Sequence, residues 1–236
     1  MKQKIYEIPI WDAYEIENCE CPICSIEKKI ENQFIETLFT EMVMDVNLNP
    51  QLVENFRFCH EHFEKLYKYP DKCGLAILTD RILYLEREAL EKIKQGSKTN
   101  AKKSFSIPFV KKSSISDKSE EQACLLCSRL HKDMDNYCDT IHKLWEKEEK
   151  FKSIFSESRG FCLQHFEMIV SSPSASNEFK NVCIELQEKN LNRIQGELQW
   201  FITKNDYRFV DEPWKTSKDA LLRTIQKLIG NYETKI

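Results

Sequence analysis

The 236-residue sequence reads as an all-α protein: two tandem helical modules, each pinned by a metal site, followed by a C-terminal helix. Three observations carry this reading. Glycine and proline are scarce, at 5 and 7 residues, whereas Lys, Glu, Leu and Ile abound. Straight-chain residues lose little rotamer freedom in a helix, and few breakers interrupt them. Apolar residues also recur at steps of three and four, and no alternating run of useful length argues for a strand.

The stripes follow in chain order. Ile26, Ile30, Phe34, Leu38 and Met42 form the first, and Leu75, Leu78, Ile82, Leu85 and Ala89 the second. Leu130, Met134, Tyr137, Ile141 and Leu144 form the third, and Val182, Leu186, Ile194, Leu198 and Phe201 the fourth. Each predicts an amphipathic helix with one face toward a core. Asn49-Pro50 reads as an N-cap followed by proline at the first helical position. Thr216-Ser217-Lys218-Asp219 reads as a capping box that opens a last helix through Leu221, Leu222, Ile225 and Leu228, stopped by Gly230.

Four cysteine and histidine motifs organise the chain. Cys21-Pro22-Ile23-Cys24 and Cys124-Leu125-Leu126-Cys127 are CxxC pairs; Cys59 with His62 and Cys162 with His165 are CxxH pairs. A single step of 103 positions carries Cys21 to Cys124, Cys24 to Cys127, Cys59 to Cys162 and His62 to His165. The flanks keep the same step: Ser25 to Ser128, Thr37 to Thr140, Phe58 to Phe161, Phe63 to Phe166 and Pro70 to Pro173. This is the signature of an internal duplication. The expected organisation is a first module at 1–96, a Lys- and Ser-rich linker at 97–119, a second module at 120–205 and a C-terminal helical segment at 206–236.

The chemistry of these residues points to zinc, two ions per chain. Tetrahedral zinc favours thiolate and imidazole ligands, and two residues separated by two others can turn both side chains onto one ion. Within each module a CxxC and a CxxH supply three sulfurs and one nitrogen. The expected sets are Cys21, Cys24, Cys59 and His62 in the first module, and Cys124, Cys127, Cys162 and His165 in the second. An iron–sulfur cluster fits less well, because such clusters are usually held by four thiolates. A catalytic zinc keeps one position open for water. Four protein ligands apiece, no HExxH and no repeated carboxylate (Glu61 faces Gln164 in the repeat) favour a structural role.

Composition excludes other classes. A net charge of −3 and a pI near 6.0 make nucleic acid an unfavoured partner, leaving only the linker lysines for that reading. No apolar run is long enough to cross a bilayer. Met1-Lys2-Gln3-Lys4 is followed by acidic residues rather than an apolar export segment, so the expected location is the cytoplasm. Ten cysteines in a reducing compartment then call for metal ligation or redox chemistry rather than disulfides. Release of zinc on thiol oxidation is therefore an alternative function. Of the remaining cysteines, Cys138 falls on a helical stripe and belongs to a core, and Cys19 is a spare ligand at most. His60, His131 and His142 have no counterpart in the repeat and default to helix faces.

The residues now assembled resemble a known family. Ile8-Pro9-Ile10-Trp11-Asp12-Ala13-Tyr14-Glu15, the first CxxC, Phe58-Cys59 to His62-Phe63 and Gly74-Leu75-Ala76 are similar to the N-terminal half of the bacterial domain of unknown function 6062. The second half agrees through its CxxC and through Gly160-Phe161-Cys162 to His165-Phe166. The closing run from Trp200 through Asp206-Tyr207-Arg208 to Pro213-Trp214 agrees as well. Arg57 stands where the second copy has Gly160. The resemblance implies kinship and no activity.

Tyr207, Arg208 and Trp214 lie outside the repeat and admit two readings. They form a partner surface, since aromatics beside arginine are common anchors, or they dock the last helix. Docking is the favoured one. The function expected is a non-enzymatic intracellular binding or adaptor module with an unidentified protein partner; no feature specifies an oligomeric state.

Overall fold

The computed structural model describes residues 2–45, 58–97 and 124–230. These residues contain nine α-helices. They are α1 (Lys2–Tyr14), α2 (Pro22–Thr37), α3 (His60–Lys68), α4 (Lys72–Ser97), α5 (Leu125–Lys147), α6 (Glu149–Glu157), α7 (Leu163–Ser171), α8 (Asn177–Thr203) and α9 (Ala220–Ile229). A π-helical turn, Leu38–Met42, prolongs α2, and a 3-10 turn covers Tyr207–Phe209. No β-strand occurs among the described residues beyond an isolated bridge residue at Cys124. The all-α class holds. The cap expected at Asn49-Pro50 and the linker beyond Ser97 lie outside the described residues, while α4 continues through Gly96 to Ser97, past the boundary drawn at 96.

The compact units are not the sequential halves. One joins Met1–Ile30 to Leu130–Ile236, and the other is Glu31–Arg129. The divisions fall inside α2 and inside α5. The N-terminal segment packs with residues from Leu130 onward because its apolar face finds partners there. Ile10, Ala13 and Tyr14 of α1 share a core with Phe151 and Phe155 of α6, Phe161, and Phe179 of α8. Tyr14 sits edge-on to Phe151 at 5.1 Å and stacks on Phe155 at 5.8 Å, and Trp11 meets Phe151 at 5.3 Å. All four phenylalanines are fully buried, each contributing about 1.5–3 kcal/mol by leaving water. In the second unit, Ile35, Leu38, Phe39, Leu66, Leu75, Leu78, Leu125 and Leu126 form a separate core, with Phe39 stacked on Tyr69 at 4.5 Å.

The last helix turns a charged face inward. Gly230, at φ 87°, ends α9 as predicted, and its left-handed backbone is one that favours glycine. The capping box is not formed: Asp219 makes no cap bond, its Oδ1 instead accepting from Arg223 Nη2 at 2.8 Å. Leu221 and Leu228 are about half exposed, while Ala220, Arg223 and Lys227 are buried. The charged face points inward because an anion waits there. Glu20, 3 % exposed, receives Arg159 at 2.9 Å, Arg193 at 2.7 Å, and Arg223 and Lys227 at 3.4 Å each. Burial pushes the Glu20 carboxyl up, but Lys227 and Arg193 outweigh it and hold the group below the usual carboxylate range.

The segment before α9 is folded around a buried lysine. Lys204 donates from Nζ to the carbonyls of Phe209 at 2.6 Å and Val210 at 2.8 Å. Trp200 Nε1 donates to Pro213 O at 3.1 Å, and Trp214 meets Phe201 of α8 at 5.7 Å.

Candidate metal centres

Each CxxC meets a CxxH, but the CxxH is the one from the other half of the sequence. In the first unit, Cys21, Cys24, Cys162 and His165 converge; in the second, Cys59, His62, Cys124 and Cys127 do so. Within each group the ligand-type atoms all lie within 4.8 Å of one another. The eight residues are those read from the spacing, and the grouping within each sequential half is corrected. Residues 1–30 carry the first CxxC into the core they share with residues 130–230, and the second CxxC meets the first CxxH.

The first centre is built at the start of α2 and the start of α7. Cys21 precedes α2 and Cys24 lies in its first turn; Cys162 is the N-cap of α7 and His165 lies in its first turn. His165 Nδ1 stands 3.5 Å from Cys21 Sγ, 3.3 Å from Cys24 Sγ and 3.3 Å from Cys162 Sγ, and the last two sulfurs are 3.7 Å apart. Cys162 Sγ also accepts from the backbone N–H of His165 at 3.5 Å, as a thiolate at a helix N-terminus would. All four residues are buried.

The loop entering Cys162 is fixed by side-chain amides. Gln187 Nε2 donates to Phe161 O at 2.9 Å while its Oε1 accepts from Phe161 N at 3.0 Å. Gly160, at φ 72°, is required there, since a β-carbon would lie 2.9 Å from Gln187 Oε1. From the other side comes α9. Lys227 Nζ donates to the carbonyls of Glu20 and Arg159, which border the two ligand-bearing loops. A β-carbon at Gly230 would stand 3.4 Å from Cys24 Sγ and 3.8 Å from Cys162 Sγ.

The second centre repeats the plan with α3 and α5. His62 Nδ1 is 3.0 Å from Cys59 Sγ, 3.2 Å from Cys124 Sγ and 3.4 Å from Cys127 Sγ, with Cys59 and Cys127 3.8 Å apart. Cys59 is the N-cap of α3 with φ −73° and ψ 169°, close to the −70° and 163° of Cys162 before α7. Its exposure differs, however: Cys127 is exposed, and Cys59 and Cys124 are half-buried.

Both histidines turn the ring nitrogen away from sulfur toward a carboxylate of α2. Glu31 Oε1 is 3.0 Å from His62 Nε2 and also pairs with Lys65 at 2.6 Å. Glu27 Oε2 is 3.4 Å from His165 Nε2, too poorly aligned to count as a hydrogen bond. A carboxylate behind a ligating histidine fixes its tautomer and ring orientation. Sequence reading missed these residues; Glu27 has Leu130 and Glu31 has Met134 at the repeat step, so the duplication gives no sign of them.

Proton affinities show what the clusters accept. Burial works against the His62 imidazolium, yet hydrogen bonds with Cys124 and Glu31 push its pKa up to about 10. Cys124 is pulled down to about 6, burial being outweighed by the His62 ring, while burial and Cys124 push Cys127 up to about 12. In the first centre, burial is outweighed by Cys162 and Cys21, and His165 rises to about 12. Hydrogen bonds from Cys21 and Cys24 drive Cys162 far down. Each cluster thus favours negative charge on a sulfur beside a histidine, Cys124 in one and Cys162 in the other, a setting in which a cation replaces protons.

The other singled-out residues fall elsewhere. Cys138 and Cys183 are buried in the first unit's core, with thiols that burial pushes up to about 12. Cys19 lies 3.5 Å from Ser25 Oγ, outside the tetrad. His60 and His131 are exposed as expected. His142, expected on a helix face, is buried and accepts from the backbone N–H of Ser176 at 3.1 Å, holding the start of α8. Tyr207 is 85 % exposed, Arg208 is engaged by Asp206, and Trp214 packs on α8.

Fold and site together define an all-helical protein with two cysteine–histidine tetrads that could each hold a metal ion. A family model described as "Family of unknown function (DUF6062)" matches residues 1–235, and the chain belongs to that family. It is similar to a protein of Caldicellulosiruptor sp. (strain Rt8B.4) described as an uncharacterized 23.9 kDa protein in the xynA 3' region. The two are 21 % identical over 190 residues, covering 80 % of this chain and 83 % of the relative. No solved structure matches the chain.

Proposed function

We propose that this chain is a zinc-stapled helical scaffold, a non-enzymatic intracellular binding or adaptor module that carries two Cys3His zinc ions. The observation that carries the reading is the shape of the two tetrads. Zinc–sulfur bonds of about 2.3 Å and zinc–nitrogen bonds of about 2.05 Å give a tetrahedron with edges of about 3.8 Å between sulfurs and about 3.6 Å from sulfur to nitrogen. The sulfur pairs at 3.7 and 3.8 Å and the nitrogen–sulfur distances of 3.0–3.5 Å sit close to those edges before any ion draws them to a common centre. Four protein atoms complete a tetrahedron and leave no open position for water, the arrangement of a structural site.

The duplication belongs to the same reading. α3 and α7 begin and end 103 positions apart, as α2 and α5 begin, so each copy supplies one CxxC helix and one CxxH helix. Exchange of those helices between copies closes one centre across the outer segments and the other across the inner ones. Elemental analysis of the purified, reduced protein tests the proposal. About two zinc ions per chain, and loss of helical signal on chelation, are expected. Iron with sulfide, or a fully folded protein with no bound metal, would replace it.

A further inference from the structure

We infer that the second centre is a modification site for peroxide-class oxidants, at which Cys127 and Cys59 join in a disulfide and the ion is given up, while the first centre stays closed. The inference rests on the zinc reading above and adds a chemical division of labour between two sites of the same ligand set.

The division is visible in what surrounds the sulfurs. Cys21 and Cys162 are 0 % exposed and Cys24 4 %, with Gly230 lying against the Cys24 and Cys162 sulfurs. Lys227, anchored on the Glu20 and Arg159 carbonyls, holds that end of α9 in place. Those sulfurs are enclosed as long as the unit stays folded. Cys127, by contrast, is exposed, and Cys59 stands 3.8 Å from it. The thiolate is the reactive species, and metal ligation keeps sulfur in that form. Access then decides which centre reacts.

The step balances. The Cys127 thiolate attacks one peroxide oxygen, forming a sulfenic acid and releasing hydroxide. The Cys59 thiolate attacks the Cys127 sulfur, forming the S–S bond and expelling the second hydroxide. Two thiolates lose two electrons in all, peroxide gains them, and two protons turn the hydroxides into two waters. With two of its four ligands oxidised, the second centre no longer holds its ion.

Full-length, zinc-loaded protein treated with hydrogen peroxide, with a zinc-sensitive dye and peptide mapping, tests the inference. Metal content before treatment tests the zinc reading separately. Close to one ion of the two is expected to leave at least about tenfold faster than the other. A Cys59–Cys127 disulfide should form, Cys21, Cys24 and Cys162 should remain reduced, and thiol reductant plus zinc should restore the protein. A Cys73→Ser background removes an exposed thiol that belongs to neither centre, and release should be unchanged in it. Cys127→His, which keeps four ligands but removes the exposed thiol, should retain two ions and release neither quickly. Simultaneous loss of both ions, oxidation of the first centre ahead of the second, or rapid release from Cys127→His would overturn the inference.

Discussion

Cys24 and Cys162 are 138 positions apart in the chain, yet their sulfurs stand 3.7 Å apart. This contact distinguishes the exchanged arrangement from one in which each half of the sequence holds its own ion. Metal stoichiometry reads the difference directly. Cys24→Ser combined with Cys162→Ser should leave about one zinc per chain, as either single change does, because both damage one centre. Cys24→Ser with Cys59→Ser should leave almost none. The opposite pattern would restore the sequential grouping.

The carboxylates behind the histidines should tune the two centres unequally. Glu31 lies 3.0 Å from His62 Nε2, whereas Glu27 lies 3.4 Å from His165 Nε2 and is misaligned. Glu31→Gln should weaken zinc at the second centre about 10–100-fold, and Glu27→Gln should weaken the first by less. Competition against a chelator of known affinity measures both.

Glu20 makes stability depend on acid. Its folded pKa lies below the ordinary 4.5, so its contribution is fully present above that value and is lost as pH falls through the folded pKa. Glu20→Gln should lower the melting temperature at neutral pH, and the gap to the parent protein should close as pH falls through the depressed pKa of Glu20. Acid also displaces metal from thiolates, so the difference between the two proteins at each pH is the quantity to follow. A gap that stayed constant with pH would assign the effect to packing.

Gly160 and Phe155 test the loop and the core of the first unit. Gly160→Ala places a β-carbon on a left-handed backbone and against Gln187 Oε1, and should destabilise by more than about 1 kcal/mol. Phe155→Ala, at the junction of the Tyr14, Phe151, Phe161 and Phe179 rings, should cost about 3–5 kcal/mol. Chemical denaturation with metal held in excess checks both values.

Much of this was legible in the sequence, and the rest was hidden for identifiable reasons. The helices follow from spacing, and the eight cysteines and histidines stand out by residue type and repeat. Their grouping does not, because a CxxC of either half satisfies a CxxH of either half equally well. The packing of Tyr14 against Phe151 and Phe155 decides, and no local pattern encodes it. The face that α9 buries is not legible for a related reason. Leu221 and Leu228 look inward-facing by composition, but the surface they would meet presents Glu20 and two backbone carbonyls, which Arg223 and Lys227 satisfy. A buried anion on a distant segment reverses an amphipathic helix.

The exchanged ligands also set an order of assembly. The span from Cys59 to Cys127 is nested inside the span from Cys21 to His165. As the chain emerges from the ribosome, the inner set is complete once Cys127 appears, while Cys21 and Cys24 wait for His165. Closing the inner loop first shortens the outer one from 138 positions to about 70, since 35-residue arms remain on either side. Halving a loop lowers its closure cost by about 0.6 kcal/mol. Assembly in that order would close the contacts from the inside out, with the N-terminal cysteines the last to be claimed.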